Sequence, residues 1–293
     1  KQMMFRQMRT AISSALLAML VVGAPAAAEP LPIVAPERVG MSGAHLDQIT
    51  KVFKAEIARN QLPGAVIGVA RKGQLVYFES LGYRDPAARD AMPANALFSI
   101  ASMTKPMVSV AIMMLRDEGR LSLSDPVGKY LPALGDMRVG VVKGGKVETV
   151  AAVRQPTVLD LLRHTSGFTY GSLGDTPVHK LWLPTSGLSS LALSAPEFVR
   201  ALARAPLLYQ PGTVWDYGLS VDVLGLIVEA VSGKPLGAFL QEHLWLPLGM
   251  VDTAFAVPAA KESRYARAFA NDPQSGRPQF VLHADGRPLK FDC

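Results

Sequence analysis

Apolar positions recur at helical spacing soon after the start of the mature part of the chain. Behind Ser42, the residues Leu46, Ile49, Val52, Phe53 and Ile57 fall on one face, so a helix capped by Ser42 is expected up to about Arg59. Pro63-Gly64 then turns the chain into Ala65-Val-Ile-Gly-Val-Ala70, and Lys72-Gly73 joins that run to Gln74-Leu-Val-Tyr-Phe-Glu79. Two short runs rich in β-branched and aromatic residues across a glycine turn read as a β-hairpin. Gly82-Tyr83-Arg84-Asp85 leads out of the hairpin into a loop.

From there the pattern reads as mostly helical. Met107, Val110, Ile112, Met114 and Leu115 make an apolar run that breaks at Gly119, followed by a proline-pinned loop through Pro126 and Pro132. Thr157 with Asp160, and Ser194 with Glu197, have the form of capping boxes, opening short helices over 158–163 and 196–203. A longer helix is expected from about Val221 through Leu224, Ile227, Val228 and Val231, stopped by Ser232-Gly233. Pro235 at a first helical position starts the next, which ends near Trp245. A lone hairpin is marginal, so its sheet partners are expected beyond residue 293.

Composition and charge restrict the classes. The 293 residues are 49% hydrophobic and 18% charged, which suits a globular core rather than a disordered chain. The net charge of +6 is modest, partly owed to Lys1, Arg6 and Arg9, and no basic run follows, so nucleic-acid binding has little support. Arg6 and Arg9 precede an apolar stretch, 11–22, that ends in Gly23-Ala-Pro-Ala-Ala-Ala28. This reads as a signal peptide over 1–28 cut before Glu29, with an apolar run too short to span a membrane comfortably. An exported bacterial protein, periplasmic or secreted, is expected, with no stable membrane span after cleavage. Cys293 is the one cysteine, so no disulfide framework exists. Both ends read as cuts in a longer frame, leaving 29–293 as one C-terminally truncated domain whose helical part begins at about 110.

Chemistry concentrates in Ser102-Met-Thr-Lys105. A serine and a lysine three apart at the start of a buried helix share one face, and an amine there can help accept the hydroxyl's proton. By itself the pattern equally describes a capping serine beside a surface lysine. Phe98, Ile100, Pro106 and Met107 around the pair suggest burial. Tyr217, in Tyr209-Gln-Pro-Gly-Thr-Val-Trp-Asp-Tyr217, is either a core tyrosine or a phenol near an ammonium, poised to shuttle protons. His164 and Ser166 sit at an expected helix end and read as capping and turn residues, since no G-x-S-x-G occurs anywhere. His45, His179, His243 and His283 lack metal-ligand spacing, and no phosphate-binding glycine loop is present, so neither a metal nor a cofactor is expected.

Five ordered stretches resemble the serine β-lactamase and penicillin-binding-protein-like superfamily, closest to class C β-lactamases and family VIII carboxylesterases. They are Phe98-Ser-Ile-Ala-Ser-Met-Thr-Lys-Pro106, Asp125-Pro-Val-Gly-Lys-Tyr-Leu-Pro132, Leu161-Leu-Arg-His-Thr-Ser-Gly167, Pro211-Gly-Thr-Val-Trp-Asp-Tyr217 and Pro247-Leu-Gly-Met-Val-Asp-Thr253. The resemblance implies an α+β fold, an antiparallel sheet flanked by helices plus an all-helical subdomain, with the last strands of the sheet missing from this chain. It also implies roles: Ser102 as acylated nucleophile, Lys105 as its activating amine, and Tyr217 as the proton relay. Whether Lys105 or Tyr217 is the first base stays open. Two departures follow. The second box of the lactamases, Y-x-N, has Leu219 in its third place, and an apolar substrate-binding side chain there favours a plain ester over an amide. The strand motif K-T-G, half of the oxyanion hole in the lactamases, is absent. The expected function is therefore a serine hydrolase of short-chain carboxylic esters acting without a cofactor on a small-molecule ester or lactam. The alternatives are a β-lactamase or D-alanyl-D-alanine peptidase and, from another class, a non-catalytic penicillin-recognising or cell-wall-binding protein.

Overall fold

Lys72 and Gly73 both take left-handed backbone, φ 53° and 69°, the conformation a two-residue hairpin turn requires. They join β1 (Gly64–Arg71) to β2 (Gln74–Asp85) in antiparallel register from Gly64 opposite Gly82 to Arg71 opposite Gln74. The hairpin is thus the one expected, but β2 runs on through the stretch read as a loop, because Tyr83 and Asp85 pair with a short β3 (Asp90–Ala91). The sheet order is β1-β2-β3. Helix α1 (Gly43–Ala58) packs on β2, and the Ser42 hydroxyl accepts from the His45 N–H as the cap pattern predicts. Val52 of its expected apolar face is 56% exposed, six residues past the buried Leu46 and so turned away from it. This computed structural model describes residues 31–182 and 193–276. The expectations for 1–28, His283 and Cys293 lie outside them.

The larger core belongs to the middle of the chain. Helix α2 (Thr104–Asp117) buries Val108, Ala111, Ile112 and Leu115 against α6 (Ser220–Ser232), an almost wholly apolar helix with Val223, Leu224, Ile227 and Val228 fully or nearly fully covered. Between them lie α3 (Val158–Leu162), α4 (Pro177–Trp182) and α5 (Ala195–Arg204), and α7 (Leu236–Leu240) follows. Both capping boxes form. Pro235 stands just before its helix rather than inside it.

The all-helical reading of this block needs correction. Strands β4 (Arg138–Lys143) and β5 (Lys146–Ala151) form a second antiparallel hairpin across Gly144-Gly145, whose φ values of 55° and 78° again meet the turn's demand. Its glycine pair and alternating valines were a legible hairpin signal. The hairpin is tied to the rest through Leu207, whose N–H donates to the Arg138 carbonyl at 2.8 Å while its own carbonyl accepts from Gly140 at 2.9 Å. No single helix among the described residues is long and apolar enough to cross a membrane.

Candidate active site

Ser102 lies in a single 3-10 turn, Ala101–Met103, that runs directly into α2. Ala101 before it has φ 42°, a left-handed conformation that a residue with a Cβ seldom adopts and that stores strain next to Ser102. Pro106 falls in the first turn of α2, where its missing N–H forfeits no helical bond. The turn brings Lys105 Nζ to 3.1 Å from Ser102 Oγ, and Lys105 donates. On the other side, Tyr217 Oη lies 2.5 Å from the same oxygen, 115 residues away along the chain. The Lys105 ammonium also sits 4.7 Å from the centre of the Tyr217 ring.

The expected burial of the pair does not hold. Ser102 is exposed and Lys105 half-buried, while Phe98, Ile100 and Met103 are 44%, 37% and 71% exposed. These apolar side chains leave Ser102 uncovered, because the approach loop lies on the surface ahead of α2, whose packed residues face α6 and α7.

Tyr217 is delivered by two segments zipped together through their backbones. The N–H groups of Leu208, Gly212 and Asp216 donate to the carbonyls of Gly167, Thr165 and His164, at 2.9, 2.7 and 2.8 Å. Gly218 then passes so close to the backbone of Phe168 and Thr169 that no side chain fits between them. One residue beyond Leu219, the Ser220 hydroxyl pairs with buried Ser166 at 2.9 Å. The stretch His164-Thr-Ser-Gly167 therefore serves as the seat of the tyrosine loop.

Asp160, only 5% exposed, anchors that seat. Its carboxylate accepts from both terminal nitrogens of Arg154, from the Thr157 N–H and hydroxyl, and from the Thr165 hydroxyl. Burial pushes its pKa up, towards the neutral form, but the donors outweigh that and hold the carboxyl below its ordinary value. Asp160→Ala would strip these donors of their acceptor. It is expected to destabilise the fold by about 3 kcal/mol in urea titration, whereas Arg154→Ala, whose side chain is 46% exposed, is expected to cost less. Equal losses would contradict this reading.

The field around the serine is set by few charges. Burial pushes the Tyr217 phenol up, yet the interactions with Lys105 and Ser102 prevail and its pKa ends below the ordinary 10.0. Asp222, in the first turn of α6, is pushed up to about 6 by burial, with the Lys105 charge opposing. Burial likewise raises Tyr170, helped by Asp222 and Tyr217. Between its ordinary 3.8 and about 6, folded Asp222 holds a proton that the unfolded chain has released. Stability therefore falls as pH rises across that window. Asp222→Asn is expected to remove the fall and to add about 2 kcal/mol at pH 7, read from urea unfolding at pH 4.5 and 7. A variant no more stable than the parent at pH 7 would refute it.

Of the residues singled out from the sequence, Ser102, Lys105 and Tyr217 come together. Leu219 does not join them: it is 1% exposed and part of the main core, because it stands at the N-terminus of α6 where the chain turns inward. It cannot line a substrate pocket as expected. His164, read as a helix-end residue, does follow α3, but its ring also lies against Tyr217. Asp222 was missed, although an acid within Val221-Asp-Val-Leu-Gly-Leu-Ile-Val228 was a signal that something holds it there. Among the described residues no group of three His, Cys, Asp or Glu is placed to hold a metal ion.

A family model described as Beta-lactamase matches residues 49–287. The chain is 36% identical over 217 residues to an uncharacterized protein of Mycobacterium tuberculosis, covering 73% of this chain and 52% of that one. It is 34% identical over 240 residues to esterase EstB of Burkholderia gladioli, covering 82% and 57%. Among solved structures, EstCE1, described as a hydrolase with promiscuous acyltransferase activity, superposes with a TM-score of 0.68 at 27% identity, covering 81% of this chain and 59% of that one. The chain thus spans about half the length of the curated relatives it matches.

Proposed function

Because the chain belongs to the beta-lactamase family and has its α+β fold, we propose that the complete protein is an exported serine hydrolase of short-chain carboxylic esters. The observation that carries this reading is the serine oxygen held at once by Lys105 Nζ and Tyr217 Oη. The Ser102 oxygen attacks the ester carbonyl carbon, and its proton passes to the Lys105–Tyr217 pair. The tetrahedral adduct collapses, the alcohol leaves with that proton, and the acyl group remains on Ser102. Water, deprotonated by the same pair, then attacks the acyl carbon and releases the acid and the free serine. The Ser102 N–H, just ahead of α2, is a candidate donor to the oxyanion. A phenol with a lowered pKa suits this exchange, since it gives and takes a proton near neutrality more readily than an ordinary tyrosine.

Support for an ester rather than a lactam comes from the relatives named as esterases. The full-length protein, given p-nitrophenyl butyrate and a chromogenic cephalosporin, is expected to turn over the ester faster and to show an acyl adduct on Ser102 by mass spectrometry. Faster cephalosporin turnover would favour the lactamase or peptidase reading, and no adduct with either substrate a binding protein.

A further inference from the structure

We propose that His164 is a positioning residue for Tyr217, holding the phenol at the serine by ring stacking; this rests on the acyl-enzyme reading above. Among the described residues, His164, Lys105, Tyr170 and Trp215 lie around the Tyr217 ring. Of the three aromatic neighbours, His164 is nearest and most nearly parallel, with centroids 5.0 Å apart and planes 29° apart. Tyr170 stands at 5.8 Å and 48°, and Trp215, which also meets His164 at 6.3 Å, at 6.5 Å and 31°. The separation and tilt are those at which stacked rings attract.

The backbone explains how the imidazole is held there. His164 has φ 55°, uncommon for a residue with a side chain, and its carbonyl accepts from the Asp216 N–H at 2.8 Å. The neighbouring Thr165 carbonyl accepts from Gly212 at 2.7 Å. The strained residue is thus fastened by its backbone to the loop whose tyrosine it supports.

The ring is suited to packing and not to proton transfer. Nδ1 is buried with no hydrogen-bond partner among the described residues, and the hydrogen bonds of Ser102 Oγ go to Lys105 and Tyr217, not to His164. Burial and then the Lys105 charge hold the imidazole below its ordinary pKa, with Asp216 opposing, so the ring stays neutral beside the ammonium. A neutral ring attracts the phenol face without repelling Lys105. With Tyr217 Oη at 2.5 Å from the nucleophile, a displacement of about 1 Å is enough to cost on the order of a hundredfold in rate.

The test compares His164→Asn, His164→Phe and His164→Leu in the full-length protein by steady-state hydrolysis of p-nitrophenyl butyrate, with Ser102→Ala as the blank. Asparagine tolerates the left-handed backbone but removes the ring. Phenylalanine restores a ring without a titratable group, and leucine fills the space without one. His164→Asn is expected to lower kcat about 10- to 100-fold with KM within about twofold. His164→Phe is expected to recover kcat to within about fivefold of the parent, and His164→Leu to stay about tenfold below His164→Phe. Should His164→Asn not fold, the Phe and Leu pair decides. Parent-like kcat in a folded Asn variant, or equal kcat in the Phe and Leu variants, overturns the positioning role alone. Parent turnover no greater than that of Ser102→Ala overturns the acyl-enzyme reading, and the role of His164 with it.

Discussion

Ser102→Ala is expected to lower ester hydrolysis by about four orders of magnitude, with the fold intact and no acyl adduct by mass spectrometry. The effect should be this large because no other group can take the place of the lost oxygen. Lys105 and Tyr217 converge on Ser102 Oγ from a helix and a loop far apart along the chain. Ser166 and Ser220, behind the Tyr217 loop, are buried and bonded to each other. Stability should hardly change, since Ser102 is exposed and alanine suits the first residues of a helix. Turnover of a folded Ser102→Ala variant within tenfold of the parent would remove Ser102 from the mechanism.

Gly218→Ala should carry the largest structural penalty. A Cβ at 218 would lie 2.4 Å from the Phe168 carbonyl oxygen and 2.5 Å from the Thr169 Cα. Both neighbours are backbone, so no rotamer change relieves the clash, and the segment they belong to is fastened by Ser166, Gly167 and Asp160. The variant is expected to lose about 4 kcal/mol or to accumulate as insoluble protein, measured by urea unfolding and soluble yield. Loss of Tyr217 geometry should follow in any soluble fraction, because Gly218 is its neighbour. A soluble variant of parental stability would show that the two segments can separate, and that the tyrosine loop is less firmly seated than the contact implies. Gly64 and Gly82 face a similar constraint in the first hairpin, where each approaches opposing backbone, so the same change there tests the sheet without touching the site.

How far the chain could be read ahead of its structure varied with the range of the interaction. The Lys72-Gly73 hairpin, the Ser42 cap and both capping boxes are local, each set within a few residues by turn conformation or by a side chain reaching its own backbone. The Gly144-Gly145 hairpin is as local, set by a glycine pair between alternating valines. The pairing of Ser102 with Lys105 is local too, three residues within one turn. Solvent exposure departs from residue type for one reason. Phe98 and Ile100 look like core residues and are exposed, while Leu219 sits in a motif position and is buried, since burial depends on what packs against a residue and not on its type.

The amino-acid order thus accounts for the pairing of Ser102 with Lys105, the turns and the caps, because each depends on residues close along the chain. The approach of Tyr217 to Ser102, the stacking of His164, the charge environment of Asp222 and the inward turn of Leu219 belong to the folded chain. They arise where α2, α6 and the two zipped loops meet, and contacts between segments that far apart depend on packing and backbone ties that no local pattern records.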